Sequence, residues 1–217
     1  GECAAEAVFG MPGFEYLKRN PADAKLFDLM MQHSPDDRHA AVVAAYDFSA
    51  SLVVDVGGGN GALLAAILRN YSDASGVLFD QEAVVAGAAD VLGPTLVDRC
   101  RTEVGDFFES VTRGGDIYTL SQILHDWDDD RCATILANCR AAMGPNKRLL
   151  VIDRLLEQEP GRTNPMNFLA DITMMVHLHG RERTPAELTD MLTNAGFSQP
   201  RIVHTTSPFS ILEATSV

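Results

Sequence analysis

The sequence is poor in basic residues and has no long apolar run. Its 217 residues include 17 Lys and Arg against 30 Asp and Glu, which gives a formal net charge of −13. A surface of that sign repels phosphate backbones and anionic lipids, so we expect neither a nucleic-acid partner nor a membrane partner. No apolar run approaches the ~20 residues of a transmembrane helix.

Cysteines are also few. The four of them show no Cys-x-x-Cys spacing and are too sparse for a disulfide-rich secreted scaffold. We therefore expect reduced, mostly buried thiols in a cytoplasmic protein. No metal site is expected either, since Asp128-Asp129-Asp130 suits the negatively charged first turn of a helix.

The apolar pattern changes character near residue 49. Residues 1–48 predict a helical lead-in that packs on an α/β domain over 49–217, with breaks at Pro12-Gly13, Pro21 and Ser34-Pro35. Short β-rich runs then alternate with helical patterns, which is typical of a parallel sheet covered on both faces. The predicted strands are 51–56, 76–79, 100–104, 115–120 and 148–153. The predicted helices are 61–70, 82–92, 129–142, 166–178 and one that begins at Thr184. The last part of the chain, 201–213, predicts an antiparallel edge hairpin.

A glycine-rich loop follows the first strand. The segment Val53-Val54-Asp55-Val56-Gly57-Gly58-Gly59-Asn60-Gly61 places four glycines between a buried strand and a helix. Glycines there allow positive φ and a close approach of a ligand to the backbone, which indicates a nucleoside cofactor. The spacing Gly57-x-Gly59-x-x-Ala62 also fits the NAD fingerprint. Asp55 favours S-adenosylmethionine, because a carboxylate ahead of the loop would repel a pyrophosphate.

Acidic residues end the next two predicted strands. Asp80 is about 20 residues beyond the loop, where a carboxylate commonly binds ribose hydroxyls. Asp106 is placed to accept a hydrogen bond from the adenine amino group, with Phe107 packing on the ring. His125 follows the fourth strand, and its near-neutral pKa in isolation suits proton transfer.

Five segments together resemble the plant caffeic-acid-type and bacterial small-molecule O-methyltransferases, which use S-adenosylmethionine. They occur in family order and include Leu-His-Asp-Trp-Asp-Asp at 124–129 and Gly-Arg-Glu-Arg-Thr at 180–184. The others are the glycine loop, Phe-Asp at 79–80 and Gly-Asp-Phe-Phe at 105–108. The resemblance implies a Rossmann-like class I methyltransferase fold, an α/β sheet of seven mostly parallel strands with an antiparallel edge hairpin and helices on both faces.

The resemblance also implies roles. His125 is the general base that takes a proton from an aromatic hydroxyl, and Glu182 or Asp153 orients its imidazole. Asp153 replaces a family glutamate and is one methylene shorter, so Glu182 is the better candidate. Ser121 stands where the family has a cofactor-binding lysine, so the sequence departs from the family pattern at this contact. The implied cofactor-binding residues are Asp55, Gly57, Gly59, Asp80, Gln81, Asp106, Phe107, Ser121 and Asp126.

The substrate implied is a small aromatic molecule. Aromatic and methionine side chains suit a flat ring, although plain core packing is the alternative for each of them. The candidates are Phe27, Met30, Met31, Trp127, Met174 and Met175. Family members carry an N-terminal winged-helix region that dimerises and closes the substrate pocket. This chain starts after that region, so we expect a trimmed product whose full-length form is a homodimer.

Two other functions stay open on the sequence. One is an NAD-dependent oxidoreductase, and the other is a non-catalytic cofactor-binding or assembly module. Asp55 and the His125 segment count against the first, and the presence of both His125 and Glu182 counts against the second.

Overall fold

The computed structural model describes residues 3–32, 38–157 and 164–217, and for residues 28–32 it describes the backbone alone. The described helices are α1 (Ala4–Phe9), α2 (Gly13–Arg19), α3 (Pro21–Gln32), α4 (Arg38–Ala45), α5 (Ala62–Asn70), α6 (Glu82–Val85), α7 (Ala88–Leu92), α8 (Asp129–Ala142), α9 (Pro165–His177) and α10 (Pro185–Asn194). The described strands are β1 (Leu52–Val56), β2 (Ser75–Asp80), β3 (Cys100–Val104), β4 (Ile117–Ser121), β5 (Arg148–Arg154), β6 (Arg201–His204) and β7 (Phe209–Thr215). The predicted break at Ser34-Pro35 lies outside the described residues.

The seven strands form one sheet in the order β3-β2-β1-β4-β5-β7-β6. Strands β1 to β5 are parallel, whereas β7 pairs antiparallel with both β5 and β6. This confirms the predicted α/β sheet with its antiparallel edge. The strand order reverses between β1 and β4, and in open α/β sheets the crevice outside the carboxyl ends at such a point binds ligands.

Apolar side chains on both faces of the sheet explain why the central strands are buried. Val54 and Tyr118 belong to one buried cluster, which also includes residues of α8 and α10. Val53 and Ile117 belong to a second cluster, which includes residues of α4, α5 and α7. Neighbouring residues of one strand therefore face different helical layers, as a doubly covered parallel sheet requires.

The elements around the site begin and end where the sequence supplies local signals. Thr184 caps α10 with a capping box to Glu187, and Pro185 occupies the first turn. The predicted helix 82–92 is wrong as a single element, because α6 and α7 are separated at Ala86-Gly87. Glycine is a poor helix former, and here it terminates the pattern. Across the described ranges, no helix has the length and apolar character needed to cross a bilayer.

Candidate active site

The glycine loop joins β1 to α5 at the carboxyl edge of the sheet. Gly57 and Gly59 have φ values of +68° and +62°, a region that side chains other than glycine rarely adopt. A Cβ atom at Gly57 would lie 2.5 Å from Cδ1 of Ile123, and one at Gly58 would lie 2.6 Å from Oδ2 of Asp55. The loop backbone is thus packed directly against its neighbours, whereas a Cβ at Gly59 would point into open space.

Two carboxylates flank this loop. Oδ1 of Asp55 accepts a hydrogen bond of 2.6 Å from Oγ1 of Thr119, and Asp80 Oδ2 accepts one of 2.9 Å from the Gly59 backbone N–H. Within the described residues, the buried Oδ2 of Asp55 has no hydrogen-bond partner. Burial raises the pKa of Asp55 to about 6, the Thr119 bond opposes that rise, and the charge of Asp80 adds to it. A ligand at the loop would therefore meet the acceptor oxygens of these carboxylates. A phosphate would be disfavoured there, because the Gly59 N–H already donates to Asp80.

The other predicted cofactor residues lie at the same edge. Oδ1 of Asp106 accepts a hydrogen bond of 2.8 Å from the Phe108 N–H, which fixes the turn after β3. The ring of Phe107 lies near the loop, because a Cβ at Gly57 would be 3.2 Å from its Cε1 atom. Gln81 donates its backbone N–H to Asp80, and Ser121 is the half-buried last residue of β4. The structure thus brings this set to the carboxyl ends of β1 to β4.

His125 lies in a short 3-10 turn, Leu124–Asp126, that follows β4. Its Nδ1 atom is 3.1 Å from Oε1 of Glu182, and its Nε2 atom is 3.3 Å from Oδ1 of Asp126. His125 is 8% exposed and Glu182 is 2% exposed, so the pair is desolvated. With Nδ1 on Glu182, proton transfer would use Nε2, which the Asp126 carboxylate also contacts.

Asp153, near the end of β5, is buried in the same region. The described residues supply no hydrogen-bond partner to its Oδ1 atom or to Oε2 of Glu182. Burial acts to lower the pKa of His125, but the charges of Asp126 and Asp153 and the hydrogen bond of Glu182 outweigh it and raise that pKa. Burial raises the pKa of Asp153 to about 8. The cluster therefore binds protons tightly: at pH 7 the His125 imidazole, with its pKa raised to about 10, carries its proton, and the Asp153 carboxyl is largely neutral.

Gly180 and Arg183 hold the histidine turn, although sequence reasoning gave them no role of their own. A Cβ at Gly180 would lie 1.9 Å from the carbonyl oxygen of His125, so this close approach of two backbone segments requires glycine. The buried Arg183 donates to the carbonyl oxygens of Leu124 and Trp127. Both residues belong to the Gly-Arg-Glu-Arg-Thr segment. Their position close to Glu182 in the sequence was the one feature that could have indicated a role for them.

An aromatic cluster adjoins the turn. Phe14 of α2 stacks on Trp127 with ring centroids 5.5 Å apart, and Phe27 of α3 lies edge-on to Phe14 at 6.4 Å. Phe107 and Phe108 make edge contacts with the same tryptophan. Two predicted substrate residues, Phe27 and Trp127, therefore share one cluster, and Phe14 is a member that the sequence did not indicate.

The remaining predicted substrate residues are less closely tied to this cluster. Met174 is half-buried, and Met175 on the same helix is 60% exposed. Helix α9 reaches the site through Asp171, whose Oδ1 accepts a 2.9 Å hydrogen bond from the Glu182 N–H. The side chains of Met30 and Met31 lie outside the described part of the structure.

Comparison with known proteins assigns the chain to a family. A family model described as an O-methyltransferase domain matches residues 1–198. This chain belongs to that O-methyltransferase domain family. A phenazine O-methyltransferase from Lysobacter antibioticus is 41% identical over 219 residues, which is 100% of this chain and 64% of the relative.

Solved structures of family members agree with the fold. The crystal structure of LaPhzM superposes with a TM-score of 0.91 at 40% identity, covering 100% of this chain and 65% of that one. An O-methyltransferase from neocarzinostatin biosynthesis, solved with S-adenosylmethionine and 2-hydroxy-5-methyl naphthoic acid, gives a TM-score of 0.87 at 33% identity, with 98% and 63% coverage. The chain thus spans just under two thirds of the length of these O-methyltransferase family members.

Proposed function

We propose that this chain is the catalytic part of an S-adenosylmethionine-dependent O-methyltransferase that methylates a hydroxyl group of a small aromatic natural product. The observation that carries the proposal is the buried His125–Glu182 pair at the sheet edge that also bears the glycine loop. Family membership and the aromatic ligands named for relatives support it.

The residues at the glycine loop fit the proposed cofactor. The unpartnered Asp55 oxygen suits the amino group of a methionine moiety. Asp80 ends β2 beside the loop, where a carboxylate commonly binds ribose hydroxyls. Asp106 and Phe107 would face the adenine, while Gly57 and Gly59 would allow close approach. Gln81, Ser121 and Asp126 complete the proposed set. When bound, S-adenosylmethionine supplies an activated methyl group on a sulfonium.

The chain's own residues would handle the proton. Glu182 orients the imidazole through Nδ1, so that Nε2 of His125 can take the hydroxyl proton of the acceptor. A positioned general base contributes roughly 10²–10⁴-fold to a rate, and alignment of the reacting atoms can supply roughly 7–11 kcal/mol of the barrier. His125 can act as a base only after its imidazole has lost its proton. A cation bound at the loop would repel the imidazolium and so lower the pKa of His125 towards about 7.

The lead-in helices of residues 1–48 would form part of the acceptor pocket. Phe14 and Phe27 are the evidence, because their rings continue the cluster around Trp127. Met30, Met31, Met174 and Met175 stay candidates for contact with the acceptor ring. We also propose that the protein is cytoplasmic and forms a homodimer, and light scattering would test the oligomeric state.

Specific observations weigh against the alternatives. The Asp55 carboxylate ahead of the loop disfavours the pyrophosphate of NAD. A neutral aromatic nitrogen needs no deprotonation before it is methylated, whereas a phenol benefits from a base. The buried His125–Glu182 pair therefore favours an oxygen acceptor, and it also counts against a non-catalytic module.

Calorimetry and a methylation assay test the proposal. S-adenosylhomocysteine should bind, and NADH should not. Hydroxyphenazines and 2-hydroxy-5-methyl naphthoic acid are suitable first acceptors, with transfer followed by mass spectrometry. We expect His125→Ala to lose at least 100-fold in turnover with unchanged S-adenosylhomocysteine affinity, while His204→Ala on the edge strand β6 should behave as wild type. Selective binding of NADH, or full turnover by His125→Ala, would overturn the assignment.

A further inference from the structure

A buried guanidinium holds the backbone on both sides of the histidine turn. The side chain of Arg183 is 2% exposed. Its Nη1 donates to the Leu124 carbonyl oxygen at 2.6 Å, and its Nη2 donates to the Trp127 carbonyl oxygen at 2.7 Å. Nη2 and Nε also donate to Oδ1 of Asp129, at 2.8 and 3.2 Å. One side chain thus ties both flanks of the turn to the start of α8.

This arrangement needs the planar fork of arginine. A guanidinium presents five N–H donors in fixed directions, whereas a lysine ammonium is a point charge on a flexible stem. Lysine at this position would keep the charge but could not reach both carbonyls and the carboxylate together. The two carbonyl oxygens belong to residues 124 and 127, so the guanidinium brackets His125 and Asp126 along the chain.

We infer that Arg183 is a positioning residue for the base, fixing the 124–127 backbone so that the His125 imidazole stays on Glu182 with Nε2 directed to the acceptor. The inference rests on the proposed methyl transfer. The supporting geometry comes from one short segment: Gly180 permits the close approach, Glu182 contacts the ring and Arg183 holds the turn. Misplacement of reacting groups by about 1 Å can cost about 100-fold in rate.

The matched pair of variants is Arg183→Lys and Arg181→Lys. Arg181 has the same chemistry two residues away and also pairs with Asp129, but its side chain is 43% exposed. In Arg183→Lys we expect kcat with 2-hydroxy-5-methyl naphthoic acid to fall at least tenfold. The affinity for S-adenosylhomocysteine should fall much less than kcat, because Arg183 donates to no residue of the glycine loop and acts on the proposed cofactor set only through Asp126. Arg181→Lys should keep the wild-type kcat.

A second readout does not require turnover. In protein labelled with ¹⁵N-histidine, the His125 ring signals, identified by their loss in His125→Gln, report its titration and its hydrogen bond to Glu182. Arg183→Lys should shift these signals and their midpoint, with the other histidines unchanged. A folded Arg183→Lys protein with wild-type kcat and wild-type His125 signals would overturn the inference, as would equal losses of kcat and cofactor affinity.

The experiment also separates this inference from the proposed function. If the wild type methylates no acceptor while the His125 signals still depend on Arg183, the positioning holds and the methyl-transfer assignment fails. If Arg183→Lys does not fold, Asp129→Asn decides, since it weakens the same clamp from an exposed position. It should shift the His125 signals and lower kcat at least threefold, and an unchanged spectrum and kcat would refute the positioning role.

Discussion

Replacing Glu182 by glutamine removes one charge from the histidine cluster and keeps the shape of the side chain. Oε1 of Glu182 lies 3.1 Å from Nδ1 of His125, with both groups buried. A hydrogen bond to a charged group contributes about 1.5–3 kcal/mol, and a neutral one about 0.5–1.5 kcal/mol. The substitution should therefore weaken the stabilisation of the imidazolium by roughly 1–1.5 kcal/mol, or about one pKa unit.

This loss has a direction in the pH profile. The hydrogen bond and charge of Glu182 raise the pKa of His125, so Glu182→Gln should lower it. The acid limb of kcat/KM marks the loss of the proton from the base, and it should move to lower pH by about one unit. On the alkaline plateau, the weaker base should be slower by up to roughly tenfold. S-adenosylhomocysteine affinity, measured by calorimetry, should not change.

The control removes a charge elsewhere. Glu103→Gln on the edge strand β3 eliminates a half-exposed carboxylate that pairs with Arg101. It should leave the profile in place. If Glu182→Gln gave the same acid limb and the same plateau as the wild type, Glu182 would not act on the base, and the orienting role would have to be abandoned.

Three further substitutions test other parts of the site. The pKa of Asp153 is raised to about 8, so the folded protein binds this proton more tightly than the unfolded chain, and its contribution to the free energy of unfolding falls as pH rises from about 4 to 8. In urea unfolding, Asp153→Asn should lack this decline, which amounts to at most about 1.4 kcal/mol per pH unit. The same pH dependence in the wild type and the variant would refute the raised pKa. Gly180→Ala should lower the free energy of unfolding by about 3 kcal/mol or more, because its Cβ would collide with the His125 backbone. Gly144→Ala, whose Cβ would meet open space, should lower it little, and equal stability of the two variants would contradict the close packing at Gly180. Asp80→Asn should weaken S-adenosylhomocysteine binding about tenfold or more in calorimetry, because the variant loses the charge that holds the loop. Asp73→Asn, at an exposed position, should bind as the wild type does. Equal affinities of the two variants would show that Asp80 does not belong to the binding site.

The sheet and its central strands could be predicted because local patterns determine them. Buried β-rich runs and glycine turns marked β1 to β5 to within two residues, and the capping signal at Thr184 located α10. The break at Gly87 was missed because the apolar spacing of residues 82–92 continues through it. A single glycine outweighed that periodicity.

The candidate site was less accessible to local reasoning. His125 and Glu182 are 57 residues apart, and only the family resemblance linked them before the structure showed their contact. Neither Phe14 on Trp127 nor the burial of Arg183 follows from any periodicity, since both depend on tertiary packing. A charged residue is expected at the surface unless its partners are known, and the partners of Arg183 are two backbone carbonyls and the carboxylate of Asp129.

The strand order has a consequence for how this protein can diversify. Residues 52–108 supply the loop and the three carboxylates on one side of the crevice, and residues 117–183 supply the histidine cluster on the other. Each stretch is continuous in the sequence, and the second begins after the first has ended. Mutations in the later stretch can alter which molecules react, and how, without altering the earlier one. Recombination between related genes at the β3–β4 connection would exchange the histidine cluster, together with Ser121 and Asp126, as a block, while the glycine loop and its three carboxylates are inherited intact.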